Sequence, residues 1–146
     1  DVVTDCICVA GYTGPDGMEC TACDAGTFKE TTGAAACSLC PTGMLKETTG
    51  AGVCSACPAG TFKATTGAGV CAACPAWTSS GEGSNVSTDC ICVAGYTGPD
   101  GMECTACDAG TFKASTGAGA CSLCQAGTFQ NTTGAGACSA SGVHGV

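Results

Sequence analysis

The sequence predicts small disulfide-rich repeats: an elongated rod of short β-hairpins and turns, with almost no helix and little hydrophobic core. Three observations carry this. A cysteine pair returns every 17 residues, at Cys20/Cys23, Cys37/Cys40, Cys54/Cys57 and Cys71/Cys74. The series resumes at Cys104/Cys107 and Cys121/Cys124, and Cys138 stands where the next pair would begin. Cysteine supplies 17 of 146 residues, far above the level that marks a disulfide scaffold. Large apolar side chains are scarce, with four Phe, two Tyr and one Trp, so the 45% hydrophobic content is mostly Ala and Cys.

A period this short leaves no unit able to bury a core of its own, so each must be held by cross-links and by its neighbours. Burial at about 25 cal/mol per Å² of apolar surface does not offset roughly 1.5 kcal/mol of ordering entropy per residue with so few large side chains. Thiols at this density persist as disulfides only in oxidising surroundings, which places the chain outside the cell or on its surface. With four basic residues and a net charge of −8, nucleic acid and anionic membrane surfaces are poor partners. No apolar run is long enough for direct membrane insertion of this segment.

A representative unit runs from Cys54 to Val70. Its Gly60-Thr61-Phe62-Lys63 stretch suits a short strand, and Thr65-Thr66-Gly67-Ala68 suits a turn back, so each unit reads as one hairpin-like loop. A longer period of 84 residues lies over the units, because Thr4–Lys29 recurs unchanged as Thr88–Lys113. The first long repeat is 1–84, with a distinct cysteine pattern at 1–20, 17-residue units over 21–74 and a small, polar, flexible junction at 75–84. The second is 85–146, with the same pattern at 85–104, units over 105–138 and a tail at 139–146. Asp1–Cys6 matches Asn85–Cys90, so the sequence reads as a window on a longer repetitive protein.

The repeat constrains how the cysteines pair. One long repeat holds five two-cysteine units, 6/8, 20/23, 37/40, 54/57 and 71/74. Neighbouring units closed two by two would leave an odd one, so equivalent units in successive copies would have to pair in opposite directions. A ladder, in which each unit sends one bridge back and one forward, avoids this. It gives Cys8–Cys20, Cys23–Cys37, Cys40–Cys54, Cys57–Cys71, Cys74–Cys90, Cys92–Cys104, Cys107–Cys121 and Cys124–Cys138, and leaves Cys6 unpaired in this window. Loops of this size are worth about 3 kcal/mol each in the chain-entropy model.

The Cys-x-x-Cys-Pro-x-Gly-Thr-Phe units, as at Cys54–Phe62, with their Thr-Gly-Ala loops resemble the ephrin-receptor-like cysteine-rich repeat, akin to the small modules of TNF receptors. Cys90-Ile91-Cys92 followed by Gly95-Tyr96-Thr97-Gly98 and Cys104 resembles the C-terminal half of an EGF-like domain, and Cys6–Cys20 repeats it. Long arrays of this kind are similar to protist or algal surface proteins and mastigoneme-type filament proteins. The resemblance implies an extracellular module that serves receptors, adhesins or fibres. Two positions depart from the unit pattern: Ser141 replaces a second cysteine, and Gln125 stands where the matching unit has Pro41.

Chemistry beyond this is thinly supplied. Cys-x-x-Cys pairs also occur in zinc ribbons, but no His alternates with them and Cys90-Ile91-Cys92 fits that geometry poorly. A redox centre needs one activated pair, whereas nearly every unit here carries the motif. With His144 as the one histidine and no arginine, acid–base and nucleophilic catalysis lack their parts, so we expect no enzyme, no metal and no cofactor. Asp16, Glu19 and Asp24, and again Asp100, Glu103 and Asp108, read as solvated acidic patches, with calcium as the competing reading. The four lysines follow Phe28, Leu45, Phe62 and Phe112, which reads as a small apolar plug beside a solvated charge. The sharper alternative is a Phe/Lys stripe facing an acidic neighbour. Asn85-Val86-Ser87 and Asn131-Thr132-Thr133 are N-glycosylation sequons. Thr31/Thr32, Thr48/Thr49, Thr65/Thr66 and Thr132/Thr133 are candidate O-glycan sites. The expected role is a structural subunit of an extracellular glycosylated filament or surface coat that self-associates into a filament or bundle. The alternative is the stalk or ligand-binding ectodomain of a receptor or adhesin.

Overall fold

The structure is a computed structural model and describes residues 6–141. It consists of two-residue strands joined by turns, with one 3-10 turn at Ser87–Asp89 and no α-helix among the described residues. Two units are distinguished. The first comprises the described residues through Ala72 together with Glu82–Val86, and the second Ala73–Gly81 and the described residues from Ser87 on.

In the first unit β1 (Tyr12–Thr13) pairs antiparallel with β2 (Thr21–Ala22), β3 (Thr27–Phe28) with β4 (Ser38–Leu39), and β5 (Met44–Leu45) with β6 (Ser55–Ala56). β7 (Thr61–Phe62) follows, and β8 (Ala72–Ala73) lies at the boundary. In the second unit β9 (Thr78–Ser79) pairs with β10 (Ile91–Cys92), and β11 (Tyr96–Thr97) with β12 (Thr105–Ala106). β13 (Thr111–Phe112) then pairs with β14 (Ser122–Leu123), and β15 (Thr128–Phe129) with β16 (Ser139–Ala140).

The local logic is the same in most hairpins. The first strand follows a glycine with positive φ, a conformation that only glycine adopts without cost (Gly26 78°, Gly60 79°, Gly110 83°). The second strand is the dipeptide inside a Cys-x-x-Cys. One cysteine of the pair is thereby aimed back along the chain and the other forward. Pleating by itself would not hold strands this short, since an isolated hairpin is marginal in water.

Three backbone hydrogen bonds repeat instead. The turn glycine donates to a carbonyl one unit on, as in Gly26 N to Lys46 O (2.7 Å) and Gly95 N to Lys113 O (2.8 Å). At Cys23, Cys40, Cys57, Cys107 and Cys124 the second cysteine of the pair donates back to that glycine, as in Cys40 N to Gly26 O (2.8 Å). A loop glycine donates to the cysteine that closes the second hairpin back, as in Gly67 N to Cys40 O (2.8 Å) and Gly134 N to Cys107 O (2.8 Å). The 1–20 and 85–104 stretches are built with these same bonds: Cys23 N reaches Gly11 O, and Cys107 N reaches Gly95 O.

The buried apolar residues are cysteines, among them Cys8, Cys23, Cys40, Cys57, Cys90, Cys92, Cys104 and Cys107. Two readings of the sequence need correction. The lysines are not solvated charges, because Lys29, Lys46, Lys63 and Lys113 are 3–7% exposed. Each ammonium is turned inward onto backbone carbonyls. Lys29 Nζ donates to Gly33 O of its own loop and to Tyr12 O (2.9 Å) of the preceding hairpin. Lys63 Nζ donates to Thr65 O (2.6 Å) and Gly67 O (2.9 Å) of its own loop. Lys113 does the same to Ser115 O (2.9 Å) and Gly117 O (2.6 Å). The neighbouring Phe28, Phe62 and Phe112 are half-buried. The junction is not a flexible linker either. Thr78–Ser79 is a paired strand, Ser80 and Ser84 are buried, and Gly83 N bonds Cys57 O (2.9 Å).

Candidate functional site

The chemistry this chain displays begins with its sulfurs. The structure joins Cys8 to Cys20, Cys23 to Cys37, Cys40 to Cys54 and Cys57 to Cys71. It also joins Cys74 to Cys90, Cys92 to Cys104, Cys107 to Cys121 and Cys124 to Cys138. The bridged Cα atoms lie 5.6–5.8 Å apart, within the ordinary disulfide range. Cys6 carries a free, exposed thiol. Ser141 keeps the backbone bond of the cysteine it replaces, donating from its N to Gly127 O (2.9 Å). Gln125 likewise keeps the turn that Pro58 makes: its carbonyl accepts from Thr128 N (2.9 Å) and Thr128 Oγ1 (2.7 Å). At both positions the main chain holds the turn, so the side chain is free to change.

The second feature is a glycine-on-loop contact. Three turn glycines of the first unit each receive a loop from two hairpins downstream. A Cβ added at Gly11 would lie 2.6 Å from Gly50 C, one at Gly26 2.5 Å from Gly67 C, and one at Gly43 2.9 Å from Gly83 C. Gly95 in the second unit meets Gly134 C at 2.7 Å in the same way. The loop glycine also rests on side chains of the strand pair beneath: Gly50 on Tyr12, Gly67 on Leu39, Gly134 on Tyr96. Sequence reasoning misses this packing, because partners some 40 residues apart leave no local signal.

The third feature is aromatic. Trp77 occupies the turn position that is glycine in the other units and takes φ 62°, a strained conformation for a bulky residue. Its ring stacks on Tyr96 at a centroid distance of 4.5 Å and an interplanar angle of 8°, and Trp77 stays exposed. Asn85 and Asn131 are exposed, as are Thr31/Thr32, Thr48/Thr49, Thr65/Thr66 and Thr132/Thr133. Asp16, Glu19, Asp24, Asp100, Glu103 and Asp108 are exposed as well. No group of three or more His, Cys, Asp or Glu residues converges to hold a metal ion among the described residues. His144 lies outside the described residues. An open cleft of about 480 Å³ is bounded by Leu45, Lys46, Glu47, Val53 and Pro58. Its one ammonium, Lys46 Nζ, already donates to Thr48 O and Gly50 O, so the cleft lacks an available acid–base pair.

The family model for tyrosine-protein kinase ephrin type A/B receptor-like repeats matches at residues 11–53, 48–90 and 95–141. The chain belongs to the ephrin-receptor-like family. The ephrin-receptor-like matches run through 11–20 and 95–104, the stretches that resemble EGF-like halves in sequence. Comparison with curated proteins returned no match. Ephrin-receptor-like cysteine-rich repeats are non-catalytic extracellular modules, structural or ligand-binding. No helix among the described residues is long and apolar enough to cross a membrane.

Proposed function

We propose that this chain is a structural segment of an extracellular, glycosylated filament or surface coat, built to associate with further copies of itself. One observation carries the reading. Successive hairpins repeat the same bonds, from turn glycine to the next hairpin, from cysteine back to that glycine, and from loop glycine to the cysteine two hairpins back. A surface built by repetition presents equivalent contacts at a fixed spacing. Weak contacts of this kind gain through effective concentration without one large interface. A ligand-reading module needs instead a site that differs from its neighbours.

The buried lysines leave lateral contacts to the half-buried Phe28, Phe62 and Phe112 and to the exposed Asp16/Glu19 and Asp100/Glu103 pairs. Asn85 and Asn131 are the proposed N-glycan carriers, and the exposed threonine pairs the proposed O-glycan carriers. Electron microscopy of the purified chain on a Cys6→Ser background, alongside native material, tests the reading. Regular filaments or sheets are the expected outcome. A chain that stays monomeric at millimolar concentration, yet binds one soluble ligand tightly through a single hairpin, overturns it in favour of a receptor or adhesin ectodomain. Deglycosylation in heavy-oxygen water labels each occupied asparagine, and an unlabelled Asn85 and Asn131 would remove the glycan assignment.

A further inference from the structure

The repeated packing breaks at one turn of the second unit. Gly95 receives its loop from two hairpins downstream, and the loop glycine, Gly134, rests on the Tyr96 ring. Trp77 holds the matching turn of the β9–β10 hairpin, and Gly117 is the matching loop glycine, its N donating to Cys92 O (2.8 Å). Turn and loop are both present here, yet a Cβ on Gly117 would meet nothing within 4 Å. A turn that carries an indole has no room for the main chain that a glycine turn receives. Between this hairpin and the loop lies a cleft of about 240 Å³, lined by Ser79, Ser80, Asp89, Ile91, Val93 and Thr116.

Trp77 is held firmly in its strained conformation. Thr78 N donates to Pro75 O (3.2 Å), Val93 N to Trp77 O (3.0 Å) and Cys104 N to Ala76 O (3.2 Å), so the turn is fixed on three sides. Strain of this kind persists where the surroundings over-determine it, and it gathers at functional sites. The indole is fixed too, because it stacks on Tyr96, whose hydroxyl lies under Gly134. Trp77 nevertheless stays 55% exposed. A rigid aromatic surface therefore stands open at the hairpin whose Ser79, Ile91 and Val93 line the cleft. Groups fixed before a ligand arrives lower the entropic cost of binding.

We infer that Trp77 and the Ser79/Thr116 cleft form a saccharide site that takes one neutral hexose unit of a glycan. A pyranose ring has a face of weakly positive C–H groups, which suits the negative face of an indole. Its edge carries hydroxyls that need partners able both to donate and to accept, and Ser79 and Thr116 supply them. Of the residues lining the cleft Asp89 alone is charged. Its carboxylate accepts strongly from a sugar hydroxyl and repels an acidic sugar. The volume falls below the roughly 300–1,000 Å³ of drug-sized sites, which fits a single ring. No contact between copies enters this inference, so it stands apart from the self-association reading.

The composition provides the readouts. Trp77 is the one tryptophan, and Ile7 and Ile91 are the two isoleucines. Cellotriose, mannotriose and chitotriose are titrated in turn into the dilute Cys6→Ser chain. At least one should change the Trp77 fluorescence and move the Ile91 methyl resonances with a millimolar dissociation constant, leaving Ile7 unmoved. Trigalacturonate, an acidic trisaccharide, should bind about tenfold more weakly or not at all. Trp77→Gly restores the residue of the other turns and removes the platform, and Thr116→Arg fills the cleft from an exposed loop position. Intact masses with all eight bridges formed confirm that both fold. Each should weaken binding by about tenfold or more, read from Ile91. Neutral trisaccharides that leave Ile91 unmoved overturn the site, as does a Trp77→Gly chain that binds like the parent. Oligolysine moving Ile91 where the sugars do not overturns it in favour of a basic peptide held by Asp89.

Discussion

A buried lysine is costly unless its ammonium is fully engaged, and here each one closes its own hairpin loop. The ordinary tendency of lysine to stay at the surface is what makes this reversal illegible in the sequence. Only the constant spacing from Lys63 to Thr65 and Gly67, repeated at Lys46 and Lys113, hints at a shared partner. Acylation by a water-soluble ester, followed by mass spectrometry, should therefore modify Lys29, Lys46, Lys63 and Lys113 slowly in the oxidised protein and rapidly after reduction. Equal rates in both states would contradict the burial. The turn glycines allow a second experiment with its own control. Gly26 and Gly110 share left-handed φ and local sequence, but only Gly26 is covered. Gly110→Ala should cost about 1–2 kcal/mol through conformation alone. Gly26→Ala should cost a further 1–3 kcal/mol or so, because the added methyl overlaps the Gly67–Ala68 main chain. Thermal unfolding at dilute concentration separates the two.

At the scale of the hairpin, the sequence is legible wherever a local rule applies. Gly-Thr-Phe begins a strand at Thr27, Thr61, Thr111 and Thr128, because glycine supplies the turn and the threonine and aromatic suit an extended pair. The threonine hydroxyl adds a local bond that tightens the turn, as in Thr61 Oγ1 to Pro58 O (2.7 Å). The return strand inside each Cys-x-x-Cys carries no propensity signal, since Thr21-Ala22, Ser55-Ala56 and Ala72-Ala73 are unlike one another in β-forming tendency. The junction at Thr78–Ser79 is misread for the same reason, its Gly- and Ser-rich composition hiding a strand and a buried serine. Stability should be correspondingly local. Replacing Cys40 and Cys54 together by serine removes a bridge across a separation of 14 residues and should cost about 3 kcal/mol. Hydrogen exchange should then quicken in β5–β6 and at Gly50, while β13–β14 keeps its protection. Uniform loss of protection would show the hairpins to be more strongly coupled than their bonds suggest.

At the scale of the whole chain, the arrangement of bridges sets how far it yields under load. A disulfide short-circuits the loop it spans, so in each 17-residue period tension travels through the three backbone steps of one Cys-x-x-Cys and across one bridge. The bridges Cys23–Cys37, Cys40–Cys54 and Cys57–Cys71 separate their Cα atoms by 5.7–5.8 Å. Adding roughly 10 Å for the three steps gives about 16 Å of reach per period, against about 60 Å for 17 unlinked residues. Pulled from its ends in a single-molecule trap, the oxidised chain should stop lengthening at roughly a quarter of the contour reached after reduction. Curves that coincide in the two states would show that the bridges do not carry the load. The loops, where the threonines and the Asn131 sequon sit, lie off the load path altogether. Such a tether can be decorated, cut within a loop or varied there in sequence, and the strand that bears the pull stays whole.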